Sequence, residues 1–359
     1  MHQEPIFHAL GPRPGPTLVV LAGMHGNEPA GVRAMEGLAR RIEARGGIPA
    51  GELLGVVGNP GALRAGQRQL DADLNRIWTV PPASVRHMRE GRERRRITRI
   101  LAAARRRSRG ELHVVDLHTT SGEGPPFLVV GTSAWGKARG RALPLPLVEG
   151  LARRLPGTLT QWLDEQGVHN LVLEAGPHLG EDGPGHALAF LQLVAADLGI
   201  LPARSHESEE ARERLARATR GLPRRLVLSL RHPLRAGDEF RMEPGFRNLD
   251  PVRRGQLLAG DRSGPIHAPM DGWLLLPLYQ LQGSDGFFMA VPAEDGQATG
   301  HVAGSRRGGD VVVAPSPGVR PAGTSPSGPP AAASPPPAPP APAPPLPRRR
   351  AVSNETPDA

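Results

Sequence analysis

A histidine and a glutamate separated by two residues, His25 and Glu28, lie in the segment Gly23-Met24-His25-Gly26-Asn27-Glu28-Pro29. Glycines on both sides of His25 permit a tight turn, and the two-residue spacer lets an imidazole and a carboxylate in one loop reach a single ion. An H-x-x-E pair arises often by chance, so its weight depends on what accompanies it. His118 is a candidate third ligand, closing the apolar run Val114-Val115-Asp116-Leu117-His118. A His, Glu, His set with one open position is the donor arrangement of hydrolytic zinc sites. Period-2 geometry puts Asp116 on the same side as His118. Two roles are open to Asp116: orienting a ligand imidazole, or capping a turn at the strand end.

Two further clusters complete the chemistry. Glu174 ends Leu171-Val172-Leu173 and precedes Ala175-Gly176-Pro177-His178. A carboxylate at the end of a buried strand is costly unless it faces a polar site, and beside an activated water it is a general base that can later protonate a leaving nitrogen. His178 and His186 compete for metal ligation, but both follow the turn, and they read as turn or surface histidines. The segment Arg68-Gln69-Leu70-Asp71-Ala72-Asp73-Leu74-Asn75-Arg76 offers two guanidinium groups and an amide, which suits carboxylate recognition, although taken alone it reads equally as a salt-bridged loop.

The elements around these residues follow a regular pattern. Short apolar runs at 17–22, 53–57, 112–117, 127–130 and 170–174 read as strands. Residues 29–45, the Arg-rich stretch, 146–154 and 185–198 read as helices. Strands alternating with helices predict an α/β fold, a mainly parallel sheet with flanking helices, whose ligand sites lie at the carboxyl ends of strands. The chemical residues fall at those ends. Residues 1–204 read as the catalytic domain and 205–222 as a charged helical connector. Residues 223–303 read as a small C-terminal β domain, and 304–359 as a disordered Pro-rich tail, with 15 of the 41 prolines between 315 and 347.

Composition narrows the function classes. The chain of 359 residues has no cysteine, which excludes disulfides, thiolate ligands and a cysteine nucleophile. Its net charge of +9 is local: between Arg86 and Arg109 eleven arginines face only Glu90 and Glu93. Ile97, Ile100, Leu101 and Ala104 recur there at helical spacing, so this stretch reads as an amphipathic helix with a solvated arginine face, and no nucleic-acid partner is expected. No apolar stretch has the length of a membrane span and the first residues lack a signal pattern, so a cytoplasmic protein is expected, with neither membrane nor nucleic acid among its partners. The sequence is silent on oligomeric state.

Taken together, GMHGNEPAG, DADLNRIW, VDLHTTSG and LEAGPH resemble the succinylglutamate desuccinylase/aspartoacylase family, relatives of the zinc carboxypeptidases, in order and separation over about residues 15–300. The resemblance implies one Zn²⁺ held by His25, Glu28 and His118, with Glu174 as the base. It also implies that Arg68 polarises the scissile carbonyl and that Asn75 and Arg76 hold the carboxylate of a small N-acyl amino acid. The implied fold is zinc-carboxypeptidase-like, followed by a small β domain. The chain departs from aspartoacylases where a second substrate carboxylate is read. The stretch before Glu174 carries Asp164 and Glu165 and no arginine, and Tyr279 is the only tyrosine. Two alternatives share the metal core: a carboxypeptidase acting on peptide C-termini, and a non-catalytic relative. Ala268-Pro269-Met270-Asp271-Gly272 is reminiscent of biotinyl-like carriers, but no acceptor lysine is present there.

Overall fold

A computed structural model describes residues 6–293. The chain opens with β1 (Phe7–Leu10) and β2 (Arg13–Ala22), then α1 (Ala30–Ala44), β3 (Ala50–Val57), α2 (Pro60–Ala65), α3 (Pro82–Val85) and α4 (Arg89–Arg107). It continues through β4 (Leu112–Thr120), β5 (Phe127–Val130), α5 (Ala134–Ala142), β6 (Leu147–Glu149), α6 (Leu151–Arg154), α7 (Leu159–Glu165), β7 (His169–Pro177), α8 (Gly183–Asp197) and α9 (His206–Ala218). Strands alone follow: β8 (Arg225–Pro233), β9 (Arg241–Met242), β10 (Pro251–Val252), β11 (Leu257–Asp261), β12 (Gly264–His267), β13 (Gly272–Leu275) and β14 (Asp285–Pro292).

Eleven strands form one sheet in the order β1-β3-β2-β4-β7-β5-β6-β8-β14-β13-β10. Strands β3, β2, β4 and β7 are parallel neighbours. Both faces of β2 are buried: Leu18, Val20 and Ala22 join one core, and Val19 and Leu21 join the other. That explains an unbroken LVVLA run where a one-sided strand would alternate. Helices α1 and α8 cover the first face; Met35, Leu38 and Phe190 are fully buried there. Helix α4 covers the second with Ile97, Leu101 and Ala104, beside Trp78.

The sheet is mixed rather than mainly parallel. Strand β5 runs antiparallel to β7, and the strands after residue 225 pair antiparallel with one another, while β6 and β8 are parallel neighbours. Of these antiparallel pairs, β11 and β12 are joined by a two-residue turn, which cannot make the crossover that parallel pairing requires. The stretch 146–154, expected as a helix, is instead the buried strand β6, a glycine at φ 94° (Gly150) and the single turn α6. Leu147 and Val148 are enclosed between β5 and β8, and a short apolar run of that kind carries no period that separates strand from helix.

Strands β8, β14, β13 and β10 extend the large sheet, and β12-β11-β9 form a small second one around Met242, Leu258 and Phe287. No helix among the described residues is long and apolar enough to cross a membrane. The Pro-rich stretch 304–359 and residues 294–303 lie outside the described residues.

Candidate metal centre and active site

The loop leaving β2 turns through Gly23 at φ +64° and then passes against α2. A Cβ on Gly26 would stand 2.0 Å from the carbonyl carbon of Ala62 and 2.4 Å from the carbonyl oxygen of Gln67, so only glycine fits next to His25. The turn delivers His25 and Glu28, both buried, to the carboxyl end of the sheet before α1 starts at Ala30. On β4 and β7 the parallel register sets His118 beside Glu174.

These residues converge. The Nδ1 of His25 lies 2.7 Å from Oε1 of Glu28, and the Nδ1 of His118 lies 3.0 Å from its Oε2. One donor atom from each of the three lies within 4.8 Å of the others. Both outer nitrogens face carboxylates: His25 Nε2 is 3.0 Å from Oδ1 of Asp73, and His118 Nε2 is 2.9 Å from Oδ2 of Asp116. A ring that donates through Nε2 keeps the Nδ1 lone pair for a cation. Of the two roles open to Asp116, the imidazole contact is the one adopted.

Electrostatics at the cluster follow from its charges. Burial penalises the Glu28 carboxylate, but the charges of His25 and His118 outweigh it and hold Glu28 well below the ordinary carboxylate range. His118 is likewise pulled well above the usual histidine value, since Asp116 and Glu28 overcome the burial that opposes its charge. Glu174 behaves oppositely: burial pushes its carboxyl up to about 8, reinforced by Glu28 and Asp116 and opposed by His118 and Arg68. Its Oε2 is enclosed without a hydrogen-bond partner. A divalent cation held by His25, Glu28 and His118 would add positive charge beside Glu174 and favour its ionised form.

The Arg68–Arg76 segment reaches the same place. Arg68 donates from Nη2 to Oδ2 of Asp73 at 2.8 Å, and its Nη1 is 3.6 Å from Glu28. The backbone N–H of Asn75 donates to Oδ1 of Asp73, and the Asn75 side-chain Oδ1 accepts from the backbone N–H of Leu159 at 2.8 Å. Arg76 is largely enclosed; its Nε has no partner, and burial weakens its hold on the proton. One cavity of about 140 Å³ is lined by His25, Glu28, Arg68, Asn75, Arg76, His118 and Glu174 together.

Three residues entered the site without a sequence signal strong enough to assign them. Asp73 contacts His25 and Arg68 at once, which its place in an acidic turn alone did not single out. His178 is not a surface histidine: it lines the cavity, with Nδ1 2.7 Å from Oγ1 of Thr119, because β7 runs on to Pro177 and carries the turn into the site. Asp285 lines the same cavity from 111 residues beyond Glu174. His186 stays outside, its Nδ1 on the carbonyl of Ala175. Tyr279 spends its hydroxyl on the backbone of Glu243 and Phe246 and does not line the cavity. Asp164 and Glu165 are also spent elsewhere, on Thr132 and Asn170 and on Gln161.

The chain is similar to several known proteins. A family model described as succinylglutamate desuccinylase/aspartoacylase catalytic domain matches residues 14–139. A succinylglutamate desuccinylase of Burkholderia pseudomallei is 40% identical over 110 residues, which is 29% of this chain and only 30% of that relative's length. Among solved structures, the product-bound ectoine utilization protein of Ruegeria pomeroyi superposes with a TM-score of 0.59 at 22% identity, covering 78% of this chain and 87% of that one. Murine aminoacylase 3 superposes with a TM-score of 0.51 at 18% identity, covering 78% and 96%. The chain is thus similar to the succinylglutamate desuccinylase/aspartoacylase family over residues 14–139, the stretch bearing three of the four motifs, and shares its fold with these solved structures across most of its length.

Proposed function

We propose that the protein hydrolyses the amide bond of a small N-acyl amino acid, with Zn²⁺ held by His25, Glu28 and His118. The observation that carries this reading is the orientation of the two imidazoles: each turns Nδ1 toward Glu28 while a carboxylate holds its Nε2. The names of the relatives, desuccinylase and aminoacylase, support the same reaction class. Zinc bound there would supply Lewis acidity, lowering the pKa of water and polarising a carbonyl.

The chain's own residues do the rest. Glu174 takes the proton of the attacking water on its carboxylate and returns it to the leaving nitrogen; its enclosure supports this role, since a carboxyl with a raised pKa is a competent acid as well as a base. Arg68, steadied by Asp73, stabilises the oxygen on which negative charge develops. Arg76, whose enclosed guanidinium lacks an anion at Nε, and Asn75 hold the substrate carboxylate. In this reading residues 1–204 are catalytic, 205–222 connect, and the β module from 223 closes the cavity through Leu276, Leu278, Gln280 and Asp285.

The test is amine release from a panel of N-acyl amino acids by zinc-loaded protein, with Glu174→Gln in parallel. Loss of roughly 100- to 10,000-fold in kcat with metal content unchanged is expected. Glu174→Gln as active as wild type, or faster cleavage of peptides than of N-acyl amino acids, would overturn the proposal.

A further inference from the structure

Part of the cavity wall has no role in the chemistry above. Val129 and Val172 are cross-strand partners on β5 and β7, and Val172 shares a face of β7 with Glu174. With Leu151, Leu155 and Phe288 they line the cavity as members of one apolar cluster, and Leu276 packs against it. An apolar wall inside a site built around charges is a binding surface for an apolar group, because burying that group there removes it from water at no polar cost.

The charged groups facing the cavity point the same way. Among the described residues lining it, Arg68 and Arg76 are the only lysine or arginine side chains. Arg68 is engaged by Asp73, which leaves Arg76 for one substrate carboxylate. The remaining ionic group away from the metal cluster is itself an acid: Asp285, held by Arg231 at 2.5 Å and 3.8 Å from Nη2 of Arg76. A second substrate carboxylate would meet the aliphatic wall, Asp285 or uncharged groups such as Thr160, Gln280 and Ser284, with no further lysine or arginine to receive it.

Resting on the deacylase reading, we propose that the substrate is an N-acyl amino acid with one carboxylate and an apolar group seated on the Val129, Leu151, Leu155, Val172, Leu276 and Phe288 wall, and that dicarboxylic N-acyl amino acids are poor substrates. The apolar group is carried either by the amino-acid side chain or by the acyl chain.

Zinc-loaded full-length protein is assayed on N-acetyl-leucine, N-acetyl-phenylalanine, N-hexanoylglycine, N-acetylaspartate and N-succinylglutamate. A kcat/KM roughly 100-fold higher for at least one apolar substrate than for either dicarboxylic one is expected. Preference for the two N-acetyl compounds assigns the wall to the side chain; preference for N-hexanoylglycine assigns it to the acyl chain. Equal or better turnover of N-acetylaspartate or N-succinylglutamate overturns the inference and leaves the deacylase reading standing. Binding separates the two claims further. Calorimetry on zinc-loaded Glu174→Gln should rank the preferred apolar compound above N-acetylaspartate, and the reverse order overturns the inference whatever the turnover. Val172→Ala, a mild truncation, should shift the optimum toward the substrate with one more methylene by about fourfold. A merely structural loss would lower every substrate alike, and that result also counts against the wall.

Discussion

Asp73 touches both the nitrogen that His25 turns away from Glu28 and the guanidinium of Arg68, so one carboxylate steadies a candidate ligand and a candidate oxyanion donor together. Burial works against its charge, but His25, Arg68 and Arg76 hold its carboxyl well below the ordinary range. Asp73→Asn keeps the shape and removes the charge. Zinc affinity is expected to fall roughly 10- to 100-fold, read by competition with a chromophoric chelator, with kcat falling as well because Arg68 loses its partner. Asp116→Asn, whose carboxylate meets only His118, should lower zinc affinity to a similar extent and leave the Arg68 contribution in place. If both variants bind zinc as wild type does, the outer carboxylates do not orient ligands. His25, Glu28, His118 and Glu174 were legible in the sequence because each ends or follows an apolar run. Asp73 and His178 were not, because their partners, His25 and Thr119, lie 48 and 59 residues away.

At the scale of elements, α4 explains how the loop bearing Arg68, Asn75 and Arg76 is held. Glu90, in its first turn and fully buried, accepts from the backbone amides of Leu70, Asp71 and Ala72 and from Nδ2 of Asn59. Asn59 in turn accepts from Ala62 and caps α2. The helix is also not simply a solvated arginine face. Arg94 donates to the carbonyls of Ile77 and Val80 at 2.6 Å, Arg96 to those of Val57 and Gly58, and Arg107 to the buried Glu52 at 2.7 Å. Arginine near a charged or carbonyl-rich loop end crosslinks it, and composition alone could not separate the part-buried Arg94 and Arg96 from Arg99, Arg105, Arg106 and Arg107, which are exposed. Glu90→Ala would strand several donors. It should cost about 3 kcal/mol by urea denaturation and lower kcat/KM roughly 100-fold through misplacement of Arg68 and Arg76. Glu90→Gln, which keeps an acceptor oxygen, should recover part of both. Unchanged kcat/KM in Glu90→Ala would mean that the loop holds its shape by other means.

Across the whole molecule, the sheet has a chemical end and a structural end. At the latter His113 is 1% exposed, with its ring 4.6 Å from Trp135 and 5.1 Å from His169. Burial pushes its pKa down to about 4, helped by the charges of His169 and Arg139 and opposed by Glu111. Above pH 6.5 His113 is neutral whether folded or unfolded and adds no pH dependence. As pH falls from 6.5 to about 4 the unfolded chain takes up a proton that the folded chain refuses, so stability declines over that window by about 3 kcal/mol. His113→Phe should flatten this part of the urea-midpoint profile, and a profile that stays as steep would remove His113 as its source. The sequence by itself determined the α/β alternation, the strand ends that carry the candidate ligands and the residue types of the candidate metal centre, because local periodicity and turn chemistry are written in adjacent residues. Only the tertiary structure decided that β5 runs against β7, that β6 is a strand, that Tyr279 is spent on backbone, and that Val129, Val172 and Phe288 form an apolar wall beside Glu174. Those outcomes depend on which strands become neighbours and in what register, and that is fixed by packing between residues far apart in the chain.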